Sequence, residues 1–245
     1  MATPTVVSMP IEAVMPSKRP SARAVLDSRD VQILCDYGTL IDVSSGELVG
    51  RAGHPPDHVI VVKDGEIEIA TRTANGRRVV LALAQAGRPI GDIPFLLNQP
   101  MMFDAIARTR STLVSLDREH WLQMLAASPD LAYRWMKSVA RRLDADRRRL
   151  MVLTTRNLTA QVAFLLLEQA QTDGIVKLTH ATLAGMVGAR RQSITRVLTQ
   201  LRDEELISTT YGTVRIVDWS ALRALVGSDL HVRLPEGFDS DGDAL

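Results

Sequence analysis

Residues 178–201 read LTHATLAGMVGARRQSITRVLTQL, and this stretch decides how the second half of the chain folds. Thr179 is placed to cap a short helix, and Gly188 is placed to end it. A second helix is predicted from about Arg190, because apolar residues recur there at three- and four-residue spacing. The apolar positions are Ile194, Val197, Leu198 and Leu201. The pattern predicts two helices joined by a tight turn, the second of them amphipathic.

The polar face of the second helix carries side chains that suit the edges of base pairs. Arginine can donate two hydrogen bonds to guanine, and glutamine can pair bidentately with adenine. We therefore predict a helix-turn-helix motif that contacts double-stranded DNA. The predicted DNA-binding residues of the motif are Thr179, Arg190, Arg191, Gln192, Ser193, Thr195, Arg196 and Thr199.

Residues 208–216 follow this motif and form a predicted hairpin that turns at Tyr211-Gly212. A hairpin at this place is typical of the wing of a winged helix-turn-helix. Thr210 and Arg215 could bond phosphates, which would position the motif without reading sequence. We assign residues 156–228 to this domain, with a hinge at Arg156-Asn157 and an acidic tail over residues 229–245.

The first half of the chain has a different pattern. Short β-rich runs at 59–62, 67–69 and 79–81 are separated by turn dipeptides such as Asp64-Gly65 and Asn75-Gly76, which favour tight hairpins. This predicts an antiparallel β-roll over residues 29–128, beginning with a short helix that ends at Gly38. Residues 1–28 lack an apolar period and are predicted to be a mobile arm. The fold class is α+β.

Between these halves, residues 129–155 are predicted to form one long helix. Trp135, Val139, Leu143 and Leu150 follow one another at spacings of four and seven, which is typical of a coiled-coil seam. We predict that two chains meet there as a homodimer. The alternative is a helix that packs only on its own chain.

Charge is distributed unevenly along a chain whose formal net charge is only +1. Residues 130–156 hold eight basic and three acidic residues, a local charge of +5, which fits a polyanionic partner. No apolar run approaches the length of a membrane span, and no secretory signal is evident. We expect a cytoplasmic protein without a membrane partner. Cys35 is the only cysteine; we interpret it as a small packed side chain, with redox sensing left open.

Taken together, residues 31–217 resemble the Crp/Fnr family of transcription regulators. Residues 188–198 are similar to the family's recognition helix, commonly written G-x-S-R-E-T-V-x-R-x-L, with Arg191 and Arg196 at its two base-reading arginines. Gln192 replaces the usual glutamate and Arg190 a common serine. Residues 62–69 resemble the central hairpin of the family, and residues 87–92 resemble the entrance of its phosphate cassette. The resemblance implies a cyclic-nucleotide-binding-like roll, a homodimer on a palindromic operator, and RNA polymerase as a further partner.

The ligand pocket implied by this resemblance is Gly91, Asp92, Phe103, Asp104, Asp146 and Arg147, and it departs from the family pattern. Asp92 stands where cyclic-AMP binders carry glutamate, and Phe103-Asp104 stands where they carry arginine and a hydroxyl residue. Asp146 and Arg147 align with the threonine and serine that face adenine. Losing the arginine removes the bidentate partner of a phosphate, so cyclic AMP is possible but disfavoured. An apolar ligand, another signal or no ligand are the alternatives, and Arg147 could restore a positive charge.

We therefore predict a sequence-specific DNA-binding transcription regulator whose affinity responds to a signal at the roll. One alternative is an architectural or constitutive DNA binder with a vestigial sensor. A more distant one is a metal-dependent β-barrel enzyme using His54 and His58, but these flank Pro55-Pro56 and lack a third ligand. We predict no catalytic residue, no metal site and no certain cofactor.

Overall fold

The computed structural model describes residues 26–170, 173–210 and 212–227. The acidic tail, most of the N-terminal arm and Tyr211 of the predicted hairpin turn lie outside these residues. Helix α1 (Ser28–Tyr37) opens the described chain, capped by Asp27 and ended at Gly38. The prediction of a mobile arm through residue 28 is wrong at its end. Leu26 is 1% exposed, and its N–H donates to the carbonyl of Gly87 at 3.0 Å.

Two antiparallel four-stranded sheets form the predicted β-roll, with strand orders β1-β8-β3-β6 and β2-β7-β4-β5. Val62 of β3 and the isoleucines of β4 pack between the sheets, whereas Val59 and Val61 of β3 pack on the opposite face with Trp121 and Trp135. The predicted β-rich runs thus become strands with buried faces. The strands are β1 (Thr39–Val43), β2 (Leu48–Gly50), β3 (His58–Asp64), β4 (Ile67–Arg72), β5 (Arg78–Ala84), β6 (Pro89–Ile90), β7 (Asp104–Ala107) and β8 (Ser111–Asp117). Helix α2 (Asp92–Leu97) lies between β6 and β7.

Helices α3 (Arg118–Ala127) and α4 (Pro129–Thr155) complete the N-terminal half. Helix α4 spans the same residues as the predicted long helix. Ser128 caps it, and Pro129 occupies its first turn, where a missing N–H costs little. The start of α4 packs on the roll through edge-to-face aromatic contacts, because Trp121 lies 5.8 Å from Phe95 and 5.9 Å from Trp135 between ring centroids.

The aromatic contacts correct the predicted dimer seam. Trp135 is 3% exposed and belongs to the core of its own chain, and Val139 packs partly buried against the same core. Leu143 and Leu150 are exposed, as is Met136. These three residues, spaced by seven, form an apolar stripe on α4, which we call the stalk stripe. Trp135 does not belong to it.

The C-terminal domain packs its helices beside a short wing. Its elements are α5 (Leu158–Gln169), β9 (Ile175–Val176), α6 (His180–Val187), α7 (Arg191–Asp203), β10 (Ile207–Thr210), β11 (Thr213–Ile216) and α8 (Trp219–Val226). Asn157 caps α5 by accepting from the N–H of Ala160 at 3.0 Å. Strand β9 extends the β10–β11 hairpin into a three-stranded antiparallel sheet. A mainly aliphatic core, which also holds Phe164, fills the space between the helices and includes Val80 of β5 and Val152 of α4.

Candidate nucleic-acid interface

Helices α6 and α7 form the predicted pair of helices joined by a tight turn. The Thr179 hydroxyl accepts from the N–H of Thr182 at 3.1 Å and so caps α6. Gly188 ends α6 with φ +70°, a conformation that favours glycine. Arg190 then takes an extended conformation and α7 begins at the next residue. The sequence LTHATLAGMVGAR therefore has a capping residue and a left-handed glycine at the two positions that the turn requires.

The two faces of α7 differ as the periodicity predicts. Ile194, Val197, Leu198 and Leu201 are buried in the core of the domain. The opposite face carries the predicted base-reading side chains. Arg190, Arg191, Gln192, Thr195 and Arg196 are exposed, whereas Ser193 and Thr199 are half-buried. The guanidinium and amide groups of this face are therefore open to a ligand, and the aliphatic side holds the helix in place.

The sequence analysis missed His180, which contacts the recognition face. Its Nδ1 lies 3.0 Å from Oγ1 of Thr195, and that hydroxyl donates to the carbonyl of Arg191 at 3.1 Å. The first residue of α6 is thereby joined to the middle of α7. A histidine directly after a capping threonine was the available signal, but its partner lies fifteen residues away.

The wing supplies the other two predicted contacts, at its opposite ends. Thr210 is exposed at the end of β10, where it pairs with Thr213. Arg215 is exposed on β11, and its Nη1 donates to the carbonyl of Asp173 at 3.2 Å. This bond holds one nitrogen of Arg215 on its own domain.

The residues of the predicted ligand pocket lie in several different environments. Gly91 has φ +79° and begins α2. Asp92 is 1% exposed and forms a two-pronged ion pair with Arg142 of α4, whose Nη1 donates to Oδ1 at 2.9 Å. Asp104 accepts from the N–H of Ala52 at 2.9 Å, and Phe103 packs against the core between the two sheets. The position of the family's arginine is thus occupied by a packed aromatic ring.

Of the two predicted pocket residues on α4, Asp146 acts through its charge on Arg88, as Asp92 does. Asp146 and Arg147 both lie on the helix beyond Arg142, and Arg147 is exposed. The α4 arginine that pairs with Asp92 is Arg142, whereas Arg147, which the sequence analysis considered for a positive charge at the pocket, is exposed. Arg88 lies nearby: burial lowers its pKa, the charge of Arg142 lowers it further, and Asp146 is the largest cause acting to raise it. Neither Arg88 nor Arg142 was predicted; Arg142 pairs with Asp92, which lies 50 positions away in the sequence.

An open cavity of about 230 Å³ lies beside Gly91. It is lined on one side by β2 and β3, and on the other by the loop that carries His54 and leads to His58. Of the six predicted pocket residues, Gly91 lines this cavity and the other five do not. His54 places Nδ1 3.2 Å from the carbonyl of Ala52.

Two features of the described residues bear on other function classes. Across residues 26–170, 173–210 and 212–227, no group of three or more histidine, cysteine, aspartate or glutamate side chains is arranged to hold a metal ion. In the same parts of the chain, every helix is too short or too polar to span a membrane. Cys35 is half-buried and packs beside the aromatic core of the roll.

Comparison with known proteins gives two domain matches. Residues 40–128 match the cyclic nucleotide-binding domain family, and residues 160–225 match the Crp-like helix-turn-helix domain family. The HTH-type transcriptional regulator Cmr of Mycobacterium tuberculosis (strain CDC 1551 / Oshkosh) is 38% identical over 201 residues, which cover 82% of each chain. The CRP-like cAMP-activated global transcriptional regulator of the same organism is 26% identical over 167 residues, covering 64% of this chain and 75% of the relative.

Solved structures show the same fold. A CRP-family transcriptional regulator from Thermus thermophilus superposes with a TM-score of 0.65 at 23% identity, covering 79% of this chain and 100% of that one. FixK2 from Bradyrhizobium japonicum superposes with a TM-score of 0.66 at 18% identity, covering 77% and 96%. The predicted order of β-roll, long helix and winged helix-turn-helix is confirmed by these folds.

Proposed function

Because this chain belongs to the Crp/Fnr family of DNA-binding transcription regulators, we propose that it binds a palindromic operator as a homodimer through α7. The observation that carries this proposal is the exposed face of α7, where Arg191, Gln192 and Arg196 stand free of the buried aliphatic side. A recognition helix needs both faces, because one must pack on its own domain while the other contacts the edges of base pairs.

Arg191 and Arg196 are assigned to guanines, because a guanidinium can donate to both O6 and N7. Gln192 is assigned to an adenine, where its amide can both donate and accept. The glutamate usual in the family would instead accept from cytosine. The preferred half-site should therefore differ at the base pair facing Gln192.

The two-fold symmetry of the proposed dimer determines the symmetry of the operator. The stalk stripe is proposed as the dimer seam, since its three large apolar side chains are solvent-exposed in the single chain. Pairing through α4 would place two α7 helices about 34 to 36 Å apart, one turn of DNA. The operator should then be a palindrome with half-sites in successive major grooves. The proposal includes a cytoplasmic location and contact with RNA polymerase.

The experiment begins with selection of bound sequences from random DNA, using the full chain. Palindromic sequences are the expected product. Arg191→Ala and Arg196→Ala should each cost about 1–3 kcal/mol on the selected site and relax preference at one base pair. Arg202→Ala is the matched control, because Arg202 lies on the same helix but pairs with Asp203. Equal losses on random and selected DNA would contradict base readout.

We keep constitutive DNA binding as a second candidate, on the evidence of the roll. Asp92 is already neutralised by Arg142, and Phe103 fills the position of the phosphate-binding arginine. Both features disfavour a cyclic nucleotide phosphate. Repeating the binding measurement with cyclic AMP and cyclic GMP tests the interpretation of the roll: unchanged affinity supports it, and a clear increase would contradict it.

A further inference from the structure

The helix-turn-helix motif is docked on the hairpin formed by β4 and β5 (residues 67–84). Helix α6 lies against β5, and Val80 is part of the C-terminal core. Gly185 allows this close approach, because a Cβ there would lie 3.1 Å from Cγ2 of Val80. Two domains that are distant in sequence therefore share a packed surface immediately before the recognition helix.

Arg149 of α4 joins three parts of the molecule at this surface. Its Nη2 donates to the carbonyl of Val80 at 3.0 Å and to the carbonyl of Met186 at 2.7 Å, and its Nη1 donates to the carbonyl of Leu81. Burial lowers the pKa of Arg149, while Glu168 and Asp146 act to raise it. One guanidinium thus connects the long helix, the sensor hairpin and α6.

Arg77 makes a second connection at the tip of the hairpin. Its Nη2 donates to the carbonyl of Ala189 at 2.9 Å, and Ala189 is the middle one of the three residues between α6 and α7. The last carbonyls of a helix have no partner within the helix and carry partial negative charge. Arg149 and Arg77 supply cationic donors at and just beyond this end of α6, and both come from outside the C-terminal domain.

The docked arrangement leaves the recognition face open. Arg149 and Arg77 contact backbone carbonyls at the turn, whereas Arg191, Gln192 and Arg196 remain exposed on α7. We propose that Arg149 and Arg77 act as an arginine clamp that holds α7 in its DNA-binding orientation relative to α4. This inference rests on the proposed function, and it assigns the coupling between sensor and DNA-binding domain to β5 and Arg149.

The clamp predicts a particular pattern among variants of the full chain. Arg149→Gln should weaken binding to the selected operator about fivefold or more, because only the docked fraction of molecules binds. Arg149→Lys should weaken it similarly, since one ammonium cannot reproduce a planar fork over three carbonyls. Arg148→Gln is the matched control: it removes the same charge from the adjacent position, where the side chain pairs with Asp144.

Hydrogen–deuterium exchange without DNA tests the clamp separately from function. Arg149→Gln and Arg149→Lys should speed exchange in peptides covering residues 78–84 and 184–190, and Arg148→Gln should not. Arg77→Ala, at an exposed position that leaves the core intact, should act in the same direction. Its effect on DNA affinity should be less than additive with Arg149→Gln, because both hold one docked state.

Three results would overturn the clamp. They are unchanged exchange in the Arg149 variants, full rescue of both readouts by lysine, and tighter operator binding after Arg149→Gln, which would make docking inhibitory. If the unaltered protein fails to bind DNA, the proposed function fails. The exchange measurement would then still decide whether the clamp exists.

Discussion

The Asp92 carboxylate is almost fully buried, and Arg142 forms an ion pair with it. Removing one partner of a buried pair leaves an uncompensated charge away from water, which costs more than the pair itself contributes. Arg142→Ala should therefore lower the free energy of unfolding by about 3–5 kcal/mol in urea denaturation. Arg148→Ala, which breaks the surface pair with Asp144, should change it by less than about 1 kcal/mol. Similar losses in the two variants would contradict the importance of burial.

Asp117 gives a pH-dependent contribution to stability. It caps α3, and the pKa of its carboxyl lies below the usual 3.8, chiefly because it accepts from the backbone N–H of His120 and then from the imidazole. A carboxyl whose pKa is lowered by folding stabilises the folded state at pH values above its ordinary pKa. This stabilisation is lost as the pH falls through the lowered pKa of the folded state. Asp117→Asn keeps a capping oxygen without titrating, so its urea midpoint should decline less steeply from about pH 5 to about pH 3. Urea midpoints that decline equally with pH in the unaltered protein and in Asp117→Asn would contradict this contribution of Asp117.

Local sequence patterns predicted which residues of α7 are buried and which are exposed. They did not predict hydrogen bonds between residues far apart in the sequence. Ile194 and Leu198 could be assigned to the core, and Arg191 to the opposite face, because a helix repeats about every 3.6 residues. Arg142 and Arg149 could not be assigned partners, since Asp92 and Val80 lie 50 and 69 positions away. The excess of basic residues over 130–156 favoured a DNA partner for this segment. Part of that charge instead binds groups of the protein itself, because Arg142 pairs with the Asp92 carboxylate and Arg149 donates to backbone carbonyls.

At the scale of elements, α4 has the predicted bounds, but Trp135 of the predicted seam packs inside its own chain. Its bounds follow from Ser128 and Pro129 at one end and Arg156-Asn157 at the other. Steps of four residues rotate a side chain by about 40°, so Trp135 and Leu143 diverge, whereas steps of seven drift by only about 20°. Met136, Leu143 and Leu150 therefore share a face, and the bulky Trp135 turns toward Trp121.

Leu143 is the central residue of the stalk stripe and tests its role directly. It is 50% exposed in the single chain, and Leu122 on α3 is 51% exposed. Leu143→Glu should convert a dimer to monomer at micromolar concentration, because charge at a coiled-coil seam opposes pairing. Leu122→Glu should leave the dimer intact. Light scattering coupled to size exclusion measures both; a dimeric Leu143→Glu protein would place the seam elsewhere.

At the scale of the whole molecule, the order of the domains could be predicted, but their packing on one another could not. Turn dipeptides and strand patterns located the roll, and the apolar repeat of α7 located the C-terminal domain. The contact of α6 with β5 depends on Val80 and Gly185, which carry no signal of their own in the sequence. Such a contact depends on how two separately formed segments are placed in three dimensions, and local sequence patterns do not specify this placement.

A fragment of residues 157–227 should be less stable than the same domain within the full chain. It would lose Val80 and Val152 from its core, and Arg149 from the end of α6. Thermal unfolding of the fragment, compared with the C-terminal transition of the intact protein, measures the difference. Adding Val152→Ala to the full chain should reproduce part of it, since truncating a buried aliphatic side chain leaves a cavity. A fragment as stable as the intact domain would show that these contacts are dispensable.

The shared core also limits how this regulator can be recombined. A chimaera that grafts residues 157–227 onto a foreign sensor would have a cavity in place of Val80 and would lose the donor that Arg149 provides to the carbonyl of Met186. A working transplant should have to bring the tip of the hairpin and the last two turns of the long helix with it, although neither belongs to the transplanted domain by sequence.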